Sequence, residues 1–260
     1  MFAMIGVFDS GVGGMSILAE IRRLLPGADL VYVADQAAAP YGVRTLGEVE
    51  QRCRLVAGWL LERGSAVVTI ACNTASAAAL HQLRAAHPEV AFVGMEPAMK
   101  PASEATRRGT VGVVATAATF QGKLFASAVD RFAAGVEIVT AACPDWVELV
   151  EAGQIEGSAV EQSVSECLEP MREAGVDVLV LACTHYPALR PVIERVMGPG
   201  VAVIDPGPAV ARQTARVARS QGADSGAGTT DIVSTGDTSS LLEAARSAGI
   251  DATPALLPLV

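Results

Sequence analysis

Aromatic residues make up only 4% of the 260-residue chain, so its core has to be assembled from Ala, Val, Leu and Ile. Basic residues are outnumbered 19 to 28, which leaves a formal net charge of −9. That deficit argues against nonspecific nucleic-acid binding, which rests on Lys and Arg meeting phosphates. It argues equally against docking on an anionic membrane surface. No uninterrupted apolar run reaches the roughly 18 residues of a membrane-crossing helix. The opening MFAMIGVFDSGVGG has no basic start, and Asp9 breaks its apolar run early, so no signal peptide is predicted. Cysteine is sparse too: Cys53, Cys72, Cys143, Cys167 and Cys183, with no CxxC pair to suggest a structural zinc. An odd count spread thinly, without an export signal, reads as reduced thiols in a cytoplasm.

What is present is apolar. Hydrophobic residues reach 51% and charged residues 18%, ample for a buried core. The length suits one large domain or two small ones. Short apolar runs predict strands at Met4–Phe8, Leu30–Val33, Ala66–Ala71, Val90–Val93, Thr110–Val114, Val136–Thr140, Asp177–Ala182, Val201–Ile204 and Asp231–Ser234. Between them lie segments of helical period. Thr45–Glu62 carries Leu46, Val49, Cys53, Val56, Leu60 and Leu61 on one stripe, and Ser158–Ala174 is a second such segment. Alternating strands and helices with fully apolar strands imply parallel sheets covered on both faces.

The plan occurs twice. MIGVFDSG from Met4 can be laid over TVGVVATA from Thr110, and AVVTIACNTA from Ala66 resembles VDVLVLACTHYP from Val176. Cys72 and Cys183 are 111 positions apart. The expected architecture is therefore two similar parallel-sheet α/β domains, a pseudo-twofold duplication facing across a central cleft. Glu96-Pro97 and Asp205-Pro206 are the expected crossings, since a residue before proline is pushed out of helix. They divide the chain into 1–97 with 206–260, and 98–205. SQGADSGAG, Ser220–Gly228, reads as a mobile surface loop.

Four constellations carry chemistry. FDSGVGGMS (Phe8–Ser16) ends the first strand; Gly11 and Gly13 fit a dinucleotide fingerprint, but Ser16 stands where its third glycine belongs. No Gly-Lys-Ser/Thr occurs, which excludes a Walker A loop. Asp9 would repel a phosphate and suits pairing with an ammonium group or orienting another side chain; the plainer reading is a tight turn with Asp9 or Ser10 as helix cap. ACNTAS (Ala71–Ser76) and ACTHYP (Ala182–Pro187) put a cysteine at a strand's carboxyl end, where open α/β sheets bind ligands. A following helix N-terminus would stabilise a thiolate and lower the thiol pKa. One such cysteine reads equally as a buried hydrophobe; two in matching places favour function. Asn73, Thr74 and Thr184 are neutral groups suited to a carboxylate, and His185 is placed to poise Cys183. Cys183 and His185 as metal ligands is the other option, although no further ligand cluster is evident. His81 and His87 read as ordinary residues, and Cys53 and Cys167 as core. APYG (Ala39–Gly42) is a turn that either presents Tyr41 to a ligand or is a surface turn.

IGVFDSGVGG, PYG, ACNTAS, VVATAAT and LACTHYP, in that order, resemble the glutamate racemase family of the aspartate/glutamate racemase superfamily, over nearly the whole chain. The resemblance implies two α/β domains with the substrate between them, no cofactor, and Cys72 and Cys183 as acid and base. It implies further catalytic roles for Asp9, His185 and Glu151. Substrate contacts carried over with the motifs are Asp9, Ser10, Tyr41, Gly42, Asn73, Thr74, Thr184 and His185, with Thr116 and Thr119 from VVATAAT. Glu148 stands where many members have proline, and Gln-Ala-Ala-Ala-Pro before Tyr41 is plainer than the family's usual run. The implied reaction interconverts L- and D-glutamate, a precursor of bacterial cell-wall peptide. The expected partners are that small molecule and a second copy in a homodimer, with neither nucleic acid nor membrane, in the cytoplasm. The rivals are an aspartate or hydantoin racemase, and a noncatalytic binding protein whose cysteines are relics.

Overall fold

The apolar runs fold as strands of two separate sheets. The computed structural model describes residues 4–257. Its strands are β1 (Met4–Asp9), β2 (Leu30–Ala34), β3 (Ser65–Ile70), β4 (Ala91–Gly94), β5 (Thr110–Ala115), β6 (Glu137–Ala142), β7 (Val178–Ala182), β8 (Ala202–Ile204), β9 (Thr230–Ser234) and β10 (Ala255–Leu256). Its helices are α1 (Met15–Leu24), α2 (Leu46–Glu62), α3 (Asn73–Ala86), α4 (Met99–Ala105), α5 (Ala117–Gln121), α6 (Lys123–Phe132), α7 (Asp145–Glu151), α8 (Ser158–Glu173), α9 (Arg190–Met197), α10 (Gly207–Gln221) and α11 (Ser239–Ser247). All nine expected strands are present within a residue or two.

The first sheet runs β10-β9-β2-β1-β3-β4 and the second β6-β5-β7-β8, every pairing parallel. The order β2-β1-β3-β4 recurs as β6-β5-β7-β8, so the two halves share one topology. Both faces of each sheet are covered, as the unbroken apolar strands require. In the first sheet α1 and α10 lie on one face, α2 and α3 on the other; in the second, α8 and α9 oppose α4 and α6. The stripe on α2 buries Val49, Cys53, Val56, Ala57 and Leu60 completely. Each such Val or Leu contributes about 1.5–3 kcal/mol through burial. Thr45 and Glu48 start that helix with a reciprocal capping box.

Two expectations need correction. Cys143 and Cys167 are not reduced thiols: they form a disulfide that ties the loop after β6 to α8. Cys53, Cys72 and Cys183 are free and buried. The segment 220–228 is not a loose loop throughout. Ser220 and Gln221 finish α10, and the Asp29 carboxylate holds the far end by accepting from the Ala227 and Thr229 amides and the Thr229 hydroxyl. Among the described residues, no helix is long and apolar enough to cross a membrane.

Candidate active site

In a parallel sheet the loops after the strands share one edge, and here the two sheets turn those edges toward each other. Asp9 closes β1, and Cys72 follows β3 as the N-cap of α3. Thr116 follows β5 and Cys183 follows β7. Direct bonds join the two sets. The Thr184 hydroxyl donates to Asp9 Oδ2 at 3.2 Å. Thr74 Oγ1 lies 2.9 Å from Thr116 Oγ1 and 3.2 Å from Thr119 Oγ1.

The glycines of DSGVGG permit this approach. A Cβ on Gly13 would stand 2.6 Å from Thr184 Oγ1 and 2.8 Å from His185 Nδ1, and one on Gly11 would fall on the Glu151 carboxylate. The motif that half-matched a dinucleotide loop is therefore a close-packing device between the sheets.

Cys72 lies beside Asp9 and Ser10, with Ser10 Oγ 3.9 Å from its sulfur and the Ala75 amide 3.5 Å away. Its helix-terminal position does not lower its pKa as expected. Burial pushes the thiol well up, the Asp9 charge adds to this, and the Ala75 amide offsets only part. A negative charge on Cys183 raises it further. Asp9 is fully buried; burial lifts its carboxyl above the usual range, against the lowering effects of His185, Cys72 and the Ser10 and Gly14 amides. The Ser10 and Gly14 amides donate to it at 2.7 and 2.6 Å.

Cys183 is set differently. A short 3-10 turn, Tyr186–Leu189, follows it before α9 begins, so the second cysteine does not cap an α-helix. Its neighbour is His185, whose Nδ1 lies 3.8 Å from the sulfur. The other ring nitrogen, Nε2, meets Glu151 Oε1 at 2.5 Å. Burial alone would lower the His185 pKa, but the bonds to Cys183 and Glu151 prevail and hold it well above the ordinary histidine value. Glu151 moves the other way: burial raises it, and the His185, Val12 and Gln36 contacts bring it below the usual carboxylate range.

The remaining expected residues divide. Gly42 packs on Thr116, where a Cβ would come within 2.7 Å of the threonine methyl. Tyr41 is buried, and its hydroxyl is spent on Asp35 Oδ2 at 2.6 Å. Asn73 has a buried amide whose oxygen and nitrogen find no hydrogen-bond partner among the described residues. Such a group is costly unless something binds it. Sequence reasoning missed Gln36, which reaches Glu151, and Asp35, which gathers Arg52, Tyr41 and Thr235. A cavity of about 660 Å³ opens behind His185 and Glu151, lined also by Gly13, Thr184 and Ser240 but by neither Cys72 nor Cys183.

The family model described as Asp/Glu/Hydantoin racemase matches residues 5–214. A glutamate racemase of Pseudomonas putida is 50% identical over 215 residues, 83% of this chain and 81% of the relative. The Escherichia coli glutamate racemase crystallised with L-glutamate and the activator UDP-MurNAc-ala superposes with a TM-score of 0.87 at 32% identity, covering 98% of each chain. The Thermus thermophilus glutamate racemase in complex with beta-chloro-D-alanine gives 0.82 at 35% identity, covering 99% of this chain and 97% of that one.

Proposed function

The chain belongs to the Asp/Glu/hydantoin racemase family, and from that premise we propose that it interconverts L- and D-glutamate, using Cys72 and Cys183 as the two bases. The observation that carries the reading is the pair of free, buried cysteines following equivalent strands, β3 and β7, of two sheets whose carboxyl-end loops are in direct contact. Relatives named glutamate racemase at about half identity supply the substrate.

The chemistry follows from geometry. An α C–H bond is a weak acid, and inversion needs its proton removed on one face and another returned on the opposite face. One thiolate sulfur takes the α-proton and the electron pair stays on the α-carbon, spread into the carboxylate. The opposite thiol gives its proton to that carbon, and the two sulfurs end with exchanged protonation. Both transfers use groups of this chain, so the reading assigns no cofactor. Positioned donors would stabilise the intermediate charge. Asp9 and Ser10 serve the Cys72 side, and His185 with Glu151 serves the Cys183 side. The unpaired Asn73 amide, with Thr74 and Thr184, gives neutral donors for the substrate carboxylates.

The same proposal includes the division into 1–97 with 206–260 and 98–205, which the allocation of strands to the two sheets supports. It also includes a homodimer in the cytoplasm and the supply of D-glutamate for peptidoglycan. The deciding experiment follows the optical activity of L-glutamate with purified protein dialysed against chelator and given no pyridoxal phosphate. Racemisation should proceed, and Cys72→Ala and Cys183→Ala should each stop it in both directions. Near-normal turnover by either variant would overturn the two-base reading.

A further inference from the structure

Glu151 collects three donors from three parts of the chain. His185 Nε2 lies 2.5 Å from Oε1, the Val12 amide donates to the same oxygen at 3.0 Å, and Gln36 Nε2 donates to Oε2 at 3.1 Å. His185 follows the second sheet, whereas Val12 and Gln36 follow strands of the first. The amide of Gln36 can be oriented only one way, because a carboxylate accepts and does not donate. Its second N–H points to Ser240 Oγ at 3.4 Å.

The base of Gln36 is rigid. The preceding residue, Asp35, accepts from Arg52 through both guanidinium arms at 2.9 and 2.7 Å, from the Tyr41 hydroxyl, and from Thr235 Oγ1 at 2.7 Å. The next amide, Ala37 N, donates to Thr235 Oγ1 at 3.1 Å, and Gly236 packs directly on the Gln36 backbone. A side chain projected from so fixed a point can hold a carboxylate belonging to the other sheet.

We propose that Gln36 is a positioning residue: it fixes the Glu151 carboxylate across the junction between the sheets, so that Oε1 stays aligned on His185 and His185 stays aligned on Cys183. This rests on the two-cysteine reading above. Gln36 touches no reacting atom and acts through Glu151. Its effect falls chiefly on the Cys183 side, because the direct neighbours of Cys72 are Asp9 and Ser10. The titratable groups facing the Glu151–His185 pair are Asp9 and Tyr32 from the first sheet, Cys183 after β7, and Glu243 of α11 on the shared cavity.

The test uses the full-length protein and α-deuterated L- and D-glutamate. Gln36→Leu should lower kcat about tenfold with KM little changed, the low end for a hydrogen bond to a charged group. The primary isotope effect should rise in the direction in which Cys183 abstracts and fall in the other. The pH limb governed by His185 should move down, since a misaligned carboxylate supports the imidazolium less. In a Glu151→Gln background the same substitution should add less than twofold, as residues acting through one another are non-additive. Gln36→Glu, which sets a second carboxylate against Glu151, should lose more at neutral pH and recover as pH falls. Thermal melts establish that each variant is folded. If the wild type racemises glutamate while Gln36→Leu keeps its kcat, pH profile and isotope effects, the positioning role is wrong and the two-cysteine reading stands. Equal isotope shifts in both directions, or full additivity with Glu151→Gln, also overturn it. A wild type that does not racemise glutamate sinks the reading itself, and the positioning role with it.

Discussion

Thr184 donates its hydroxyl to Asp9 across the junction of the two sheets, 3.2 Å from oxygen to oxygen. The bond joins the loop that carries Cys183 to the carboxylate beside Cys72, so it couples the surroundings of the two proposed bases. Thr184→Val keeps the shape and removes the donor. The ionised Asp9 then loses a partner in a fully buried site, and its already raised pKa climbs further. A rate profile against pH should show the limb governed by Asp9 displaced upward, with kcat reduced roughly tenfold.

The Glu151–His185 pair sets a pH window for stability. Glu151 is held below its ordinary 4.5, so its contribution is present above that value and lost as pH falls through the folded value. His185 is held above its ordinary 6.5, so its contribution is full below that value and lost as pH rises through the folded value. Both are complete between 4.5 and 6.5. Denaturant melts of Glu151→Gln should show the largest deficit there, about 3 kcal/mol, the low end for a pair that is only mostly buried. The deficit should shrink on either side.

Tyr41→Phe distinguishes a substrate contact from a structural one. Because its hydroxyl is given to Asp35, removal should cost stability, about 1–2 kcal/mol, while KM for glutamate stays within about twofold. A large rise in KM with unchanged stability would instead make Tyr41 a substrate contact.

The Cys143–Cys167 bond closes a loop of sequence separation 24 that contains Glu151. Reduction, or Cys167→Ser, should lower unfolding stability by about 3 kcal/mol on loop-closure grounds. Melts with and without a dithiol reductant measure this directly. An identical midpoint in both conditions would show that the cross-link contributes nothing.

The sequence made the strands and the duplication legible, because fully apolar runs leave few alternatives when both faces of a sheet are covered. It missed β10, two residues after Pro254 with no pattern to read. The two strand-end cysteines and His185 stood out because their types are scarce and their setting repeats. Gln36 did not, since a lone amide in a turn has no signature until folding brings Glu151 to it. The Cys143–Cys167 pairing was hidden for the same reason, as spacing along a chain does not report distance in space. The pKa of Cys72 was misread because helix position is visible in sequence, whereas full burial beside a carboxylate is not.

Among the described residues the backbone passes between the two sheets only after β4 and after β8, two edge strands that line one groove. Two tethers on one side make a lever with its fulcrum there. Neighbouring strands lie about 4.8 Å apart, so β3 with Cys72 sits one spacing from that fulcrum, while β2, which leads to Gln36, sits three. For any small swing, Gln36 and Glu151 separate about three times as far as the groups beside Cys72 are displaced. The amide-to-carboxylate contact sits at the long arm and would part furthest in such a swing, while His185 would keep both Glu151 and Cys183, which ride on its own sheet.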